Sequence, residues 1–251
     1  MKKTRSIKSI TASAAAVLFW IMVWQIGAFF ANKSLILKIP MPLDVAKALL
    51  IDLSKRSFWA AVGTSVFHIL SGYLAAVLVG MILGLLSEIS AFFRHLFSPL
   101  MHTVRAVPVA SFIFIAWLWV PSSVLPGIIA FLIVVPIICS HIEAGFTTEQ
   151  KQFAEAAQVS GAKKRDVLLK IRMPLLLPHF RSGCITGLGI AWKAGVAAEV
   201  ICSPTGSIGS LLKIGKASID YDEVFAVTIM VILLSILFES ILKILWKEKQ
   251  Q

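Results

Sequence analysis

Six apolar runs dominate the chain, at residues 10–30, 63–86, 100–120, 125–146, 182–201 and 224–246. About twenty apolar residues in a helix cross the roughly 30 Å hydrocarbon core of a bilayer. In lipid every backbone polar group needs an internal partner, which restricts spanning structures to helices and closed barrels. Runs of this length are helical spans, so the sequence predicts an all-α integral membrane protein with six transmembrane helices. Composition agrees: 58% of residues are hydrophobic and 15% charged, against roughly 45–50% and 25% in soluble domains. The six runs leave only loops and tails among the 251 residues. The whole chain, residues 1–251, is therefore read as one transmembrane domain with no room for a soluble catalytic one.

The first run follows a basic leader, Lys2, Lys3, Arg5 and Lys8. It is too long for a signal peptide, and Phe29 stands where a cleavage site would need a small residue, so it is expected to stay as the first span. Between the first two spans lies a mixed stretch too polar to cross lipid, in which Leu43 to Leu53 has the rhythm of a helix lying along the interface. The net charge of +11 would suggest nucleic acid in a soluble protein, but here most of it flanks the apolar runs. With the N-terminus in the cytoplasm, inside segments collect fifteen Lys and Arg and outside segments seven. That bias puts both termini, and the long polar loop 147–181, in the cytoplasm. The external stretch from Asn32 to Trp59 runs against it with five cations.

The long loop carries Glu155-Ala156-Ala157, three residues, Gly161, nine residues, then Ile171-Arg172-Met173-Pro174. Physically, Glu155 to Ser160 is a short helix of good formers and Gly161 supplies the positive φ that ends it. A second helix is expected to begin at Ala162 and to be closed by Pro174. Ala156 and Ala157 offer a small-residue face that a partner can approach closely.

This spacing resembles the signature loop of the permease subunits of binding-protein-dependent ABC importers, with Met173 where Leu is usual, a volume-conserving change. Further segments look like the nitrate, sulfonate, taurine and bicarbonate branch of those permeases: Arg105 to Ala110, the Pro174 to Pro178 spacing, Gly189 to Glu199, and Gly206-Ser207-Ile208-Gly209. One departure follows Trp119, where the branch often has Phe-Gly and this chain has Val120-Pro121-Ser122. The resemblance implies the type I importer fold, with the loop as a cytoplasmic coupling helix docked on a separate ABC ATPase dimer. Ala156, Ala157 and Gly161 would form the docking surface, Glu155 would pair with a cation of the ATPase, and Ile171 and Pro174 complete the motif. It also implies an extracytoplasmic substrate-binding protein, a second permease copy forming a homodimer, a bacterial inner-membrane location and a small anionic solute. No cofactor would be bound directly, since the partner would use the ATP. A phosphate-binding loop is indeed missing: the nearest match, Gly209 to Gly215-Lys216-Ala217, has one residue too many and alanine for the hydroxyl.

Ionisable residues inside apolar runs are functional candidates by default. Lys193 and Glu199 lie six apart in the fifth run, about 240° around a helix, and so do not pair on it. Lys193 either faces the pathway and attracts an anion or pairs with Glu143 or Glu239; Glu199 either belongs to an external gate or sits at the wet end of its span. Arg105 either lines the pathway or anchors the cytoplasmic end of the third span. Cys139, Cys184 and Cys202 read as reduced packing residues, and the five histidines lack metal-ligand spacing, so no metal is expected. Two other classes compete. A membrane enzyme would need clustered Asp, Glu or His at the membrane face, and a gradient-driven secondary transporter an internal repeat with paired acids; the sequence displays neither pattern.

Overall fold

The computed structural model describes residues 2–33, 38–146, 152, 156–157, 159–161 and 163–247. All regular structure among them is helical: α1 (Lys2–Ala31), α2 (Pro42–Ser54), α3 (Arg56–Ile89), α4 (Ala91–Ala106), α5 (Val109–Trp117), α6 (Leu125–Ala144), α7 (Lys164–Val167), a π-helical turn (Leu168–Arg172), α8 (Met173–Cys202), α9 (Ile208–Ala217) and α10 (Tyr221–Lys247).

Four described helices are long and apolar enough to cross a membrane: Arg56–Ile89, Leu125–Ala144, Lys170–Cys202 and Tyr221–Trp246. In α1 the apolar part is Ala15–Ala31. The run 100–120 departs from the single straight span expected of it. It is divided between α4 and α5, which meet at an angle of 103°. The cause is Pro108, which has no N–H to continue the ladder and forces its predecessor out of the helical region. Val107 is extended, at φ −74° and ψ 128°. Pro174 also departs from expectation. It does not close a helix but sits in the first turn of α8, directly after the π-helical turn Leu168–Arg172. The chain from Lys164 to Cys202 is helical throughout.

The chain divides into two compact units. The first comprises residues 1–59 with 211–231. There, Trp24 Nε1 donates to the Pro40 carbonyl at 3.2 Å, Asn32 exchanges two hydrogen bonds with Ile39, and the Trp24 ring stacks on Phe225 at 5.8 Å. The helix α2 covers the expected interfacial segment, opened by Pro42 and carrying Asp44 in its first turn, where a carboxylate complements the helix dipole.

The second unit, residues 60–210 with 232–251, holds the packed core. Helices α6 and α8 are its inner layer, with 56% and 61% of their apolar windows buried, and with α5 they bury Ile113, Leu125, Ile129, Ala194, Ala198 and Cys202 against one another. Small residues set the spacing, as close helix contact in membranes requires. A side chain at Gly72 of α3 would collide with the Gly127 backbone of α6, and one at Gly127 would meet the His68 carbonyl oxygen at 2.7 Å. Polar ties are few and buried: Tyr73 Oη donates to the Cys184 carbonyl at 3.0 Å.

Candidate functional site

The polar loop approaches α8 from its N-terminal side. Glu155 lies outside the described residues. Ala156 and Ala157 lie in a helical turn in which the Ser160 N–H donates to the Ala156 carbonyl at 3.0 Å; Ala156 is exposed and Ala157 half-buried. Gly161 follows at φ +88°, a left-handed conformation that costs any residue with a Cβ about 1–2 kcal/mol. The turn thus ends at the expected residue. Beyond it, Val167 is buried and Lys170 pairs with Asp166 at 3.0 Å. Ile171 lies half-buried in the π-helical turn, and Pro174 is exposed one turn later. Ala156, Ala157 and Gly161 therefore share one short turn, while Ile171 and Pro174 belong to the root of α8.

At the other end of α8 the structure assembles a buried polar clamp. Glu199 is fully buried. Its Oε2 accepts from Ser65 Oγ at 2.7 Å and from the Gly209 N–H at 3.1 Å, while Ser65 Oγ accepts from the Ile208 N–H at 2.9 Å. The first N–H groups of α9 have no partner within their own helix, and Ser65 and Glu199 supply acceptors for two of them. Ser207 caps the helix reciprocally: its Oγ accepts from the Ser210 N–H and its own N–H donates to Ser210 Oγ, both at 3.1 Å. Gly209 allows the approach, since a side chain there would collide with the Glu199 and Val200 backbone. Glu199 thus faces inward, away from the open surface of α8. Ser65, Ser207 and Gly209 were not among the residues expected at a site. The Gly-Ser-Ile-Gly segment signals the turn, but nothing local marks a serine 134 residues from Glu199.

Lys193 lies on another face of the helix, about 120° around from Glu199. It is exposed and makes no ion pair within 4.0 Å among the described residues. Glu239 is engaged by Lys243 at 3.2 Å, and Glu143 accepts from the Cys139 thiol at 3.5 Å. Arg105, in the last turn of α4, ties that helix to α6: its Nη2 donates to the Pro136 carbonyl at 2.6 Å and to Ser140 Oγ. Among the described residues no group of three His, Cys, Asp or Glu is placed to hold a metal ion. The arrangement offers an exposed helical turn before one end of a long helix and a hydrogen-bonded, buried turn at the other.

Comparison with known sequences finds relatives over most of the chain. Residues 76–249 match the family described as binding-protein-dependent transport system inner membrane component. The chain is 26% identical over 239 residues to the taurine transport system permease protein TauC of Escherichia coli (strain K12), covering 92% of this chain and 86% of the relative. It is 25% identical to the bicarbonate transport system permease protein CmpB of Synechococcus elongatus, covering 83% and 78% of the two chains. With the nitrate import permease protein NrtB of Leptolyngbya laminosa the identity is 24%, covering 82% and 74%.

Proposed function

The chain belongs to the binding-protein-dependent transport system inner membrane component family, and on that premise we propose that it forms the translocation pathway for a small anion and is driven through the Glu155 to Pro174 loop. It is a non-catalytic, multi-pass permease subunit of an ABC importer; ATP is hydrolysed by a separate ATPase subunit, and a binding protein delivers the solute.

The loop reading rests on the helical turn at Ala156 and Ala157, ended by Gly161 at φ +88°, and on the helical stretch from Lys164 to Arg172 that runs into α8. A push on such a loop is carried by a rigid rod: the thirty residues of α8 extend about 45 Å at 1.5 Å per residue. ATP-driven closure of the ATPase dimer would draw two such loops together, one from each copy of a homodimer, and tilt α8. Glu155 would pair with a cation of the ATPase, with Ala156, Ala157 and Gly161 as the contact face and Ile171 and Pro174 fixing the loop to the helix. Both termini and the loop lie in the cytoplasm on this reading, by the excess of Lys and Arg on that side.

The anion reading rests on Lys193, an exposed cation in the middle of a membrane helix. Relatives that name a substrate name taurine, bicarbonate and nitrate, all of which are or carry anions at neutral pH. Arg105 adds a second cation, and Glu199 holds the far turn closed. The test is uptake by cells lacking this chain, with and without a plasmid copy. Loss and restoration of uptake of labelled taurine, nitrate, bicarbonate or an alkanesulfonate is expected. Unchanged uptake of all four would refute the anion reading.

A further inference from the structure

The bend between α4 and α5 encloses a cavity of about 200 Å³ lined by Val104, Arg105, Val107, Val109, Phe112, Ile133, Ile137 and Ile190. Broken helices within a membrane are tolerated where the irregular backbone is buried in protein or lines a cavity, and here the break and the cavity coincide. Arg105 is the sole charged liner. Both hydrogen bonds that the structure gives it use Nη2, so the three N–H donors on Nε and Nη1 remain, each able to donate singly to an oxoanion.

The open face of α8 continues from this cavity. Ser182, Thr186, Ile190, Lys193, Ala197 and Val200 are exposed, while the residues between them from Gly183 to Glu199 are buried apart from half-buried Ile185. At about 100° per residue the six fall within an arc of about 80°. Ile190, which lines the cavity, is one turn from Lys193 on that arc, and Thr186 is one turn to the other side. A membrane helix that exposes two hydroxyls and a lysine on one narrow stripe, and buries glycine, alanine and tryptophan elsewhere, has a face suited to a polar passenger.

We propose that this cavity is an anion subsite on the translocation pathway, in which Arg105 holds a small, weakly hydrated monoanion, nitrate or a short alkanesulfonate, next to the Lys193 stripe. The inference rests on the proposed anion permease function and adds the site and the selectivity. Selectivity follows from the walls. Seven of the eight liners are apolar and cannot replace the hydration shell of a strongly hydrated dianion. A monoanion that sheds water readily can enter and pair with one guanidinium. Sulfate and hydrogen phosphate are excluded by the same argument.

The test uses the full chain purified in neutral detergent and the binding of radiolabelled methanesulfonate. Saturable binding is expected, displaced by nitrate and unaffected by sulfate at equal ionic strength. Arg105→Gln should weaken it by about tenfold or more, the loss of a charge-assisted contact. Because Arg105 also ties α4 to α6, Ile137→Trp serves as a second variant, filling the cavity with the arginine intact, and should abolish binding while the variant still elutes as a folded chain. Absence of saturable binding, displacement by sulfate as readily as by nitrate, or native affinity in Ile137→Trp would overturn the site. If the native chain retains its ATPase partner and its anion uptake yet binds no methanesulfonate, the site fails alone. If no anion is taken up, the permease reading on which the site rests fails with it.

Discussion

Replacing Glu199 by alanine removes the acceptor shared by the Ser65 hydroxyl and the Gly209 N–H. Both donors sit where water does not reach, with Ser65 and Glu199 fully buried, so each is left without a partner at about 1–2 kcal/mol, roughly 2–4 kcal/mol in all. Glutamine is the informative control. Its amide oxygen takes the place of Oε2 and keeps both bonds, while its NH2 takes the place of Oε1, which is buried without a partner among the described residues, at about 1–2 kcal/mol. For a chain of this size 1 kcal/mol moves the melting midpoint by about 2–4 °C. Glu199→Ala should therefore melt about 5–15 °C below the native protein in detergent, and Glu199→Gln about 2–8 °C below it, above the alanine variant in the same assay. Tryptophan fluorescence reports the transition, since buried Trp192 lies on the same helix with its ring 5.1 Å from Phe238. An alanine variant that melts with the native protein, or a glutamine variant as labile as alanine, would refute the clamp.

Other expectations follow from single contacts. Gly72→Ala should prevent accumulation of folded chain in the membrane, because its Cβ would collide with the Gly127 backbone, whereas Gly63→Ala, with nothing within 4 Å, should be neutral or slightly stabilising; detergent size-exclusion profiles distinguish the two. Lys193→Ala should lower uptake without lowering expression, since an exposed lysine that makes no described ion pair contributes little to stability; unchanged uptake would return it to a structural role. The Lys55 ammonium is held above its ordinary value by its hydrogen bond to Asp52, at 2.8 Å. A raised folded value means stability that is full below pH 10.5 and lost as pH rises beyond it, so Lys55→Met should flatten the alkaline loss of melting temperature, by a small amount because the lysine is half exposed.

Some of this fold can be read directly from the residues, because length and hydropathy alone decide what crosses lipid. The helices at Arg56–Ile89 and Tyr221–Lys247 contain their apolar runs and extend them by a turn or less, except at the start of α3, and Leu125–Ala144 ends two residues short of its run. Gly161 is equally legible: a glycine after a run of helix formers marks the left-handed turn that the backbone adopts. The bend at Val107 is not. Pro99, Pro136 and Pro178 all lie within helices, so a proline in an apolar run does not by itself announce a 103° corner such as the one at Pro108. Pro174 illustrates the same ambiguity in reverse, since proline both ends helices and begins them. Of the charged candidates, the six-residue spacing keeps Lys193 and Glu199 from pairing on one helix, and the structure exposes the first and buries the second. What Glu199 binds was not legible, because Ser65 reaches it across 134 positions of chain and a lone serine in an apolar run has no pattern of its own.

The proposed function rests on a mechanical link between the Glu155 to Pro174 loop and a separate ATPase. The direct measurement is purification of the tagged chain from its own cells in mild detergent, native beside Glu155→Lys, with the co-purifying proteins identified by mass spectrometry. An ABC ATPase that accompanies the native chain and is lost from a variant still folded and present in the membrane is the expected result. A native chain that brings down no ATPase, or a Glu155→Lys chain that keeps it and imports at the native rate, would contradict the coupling role of the loop.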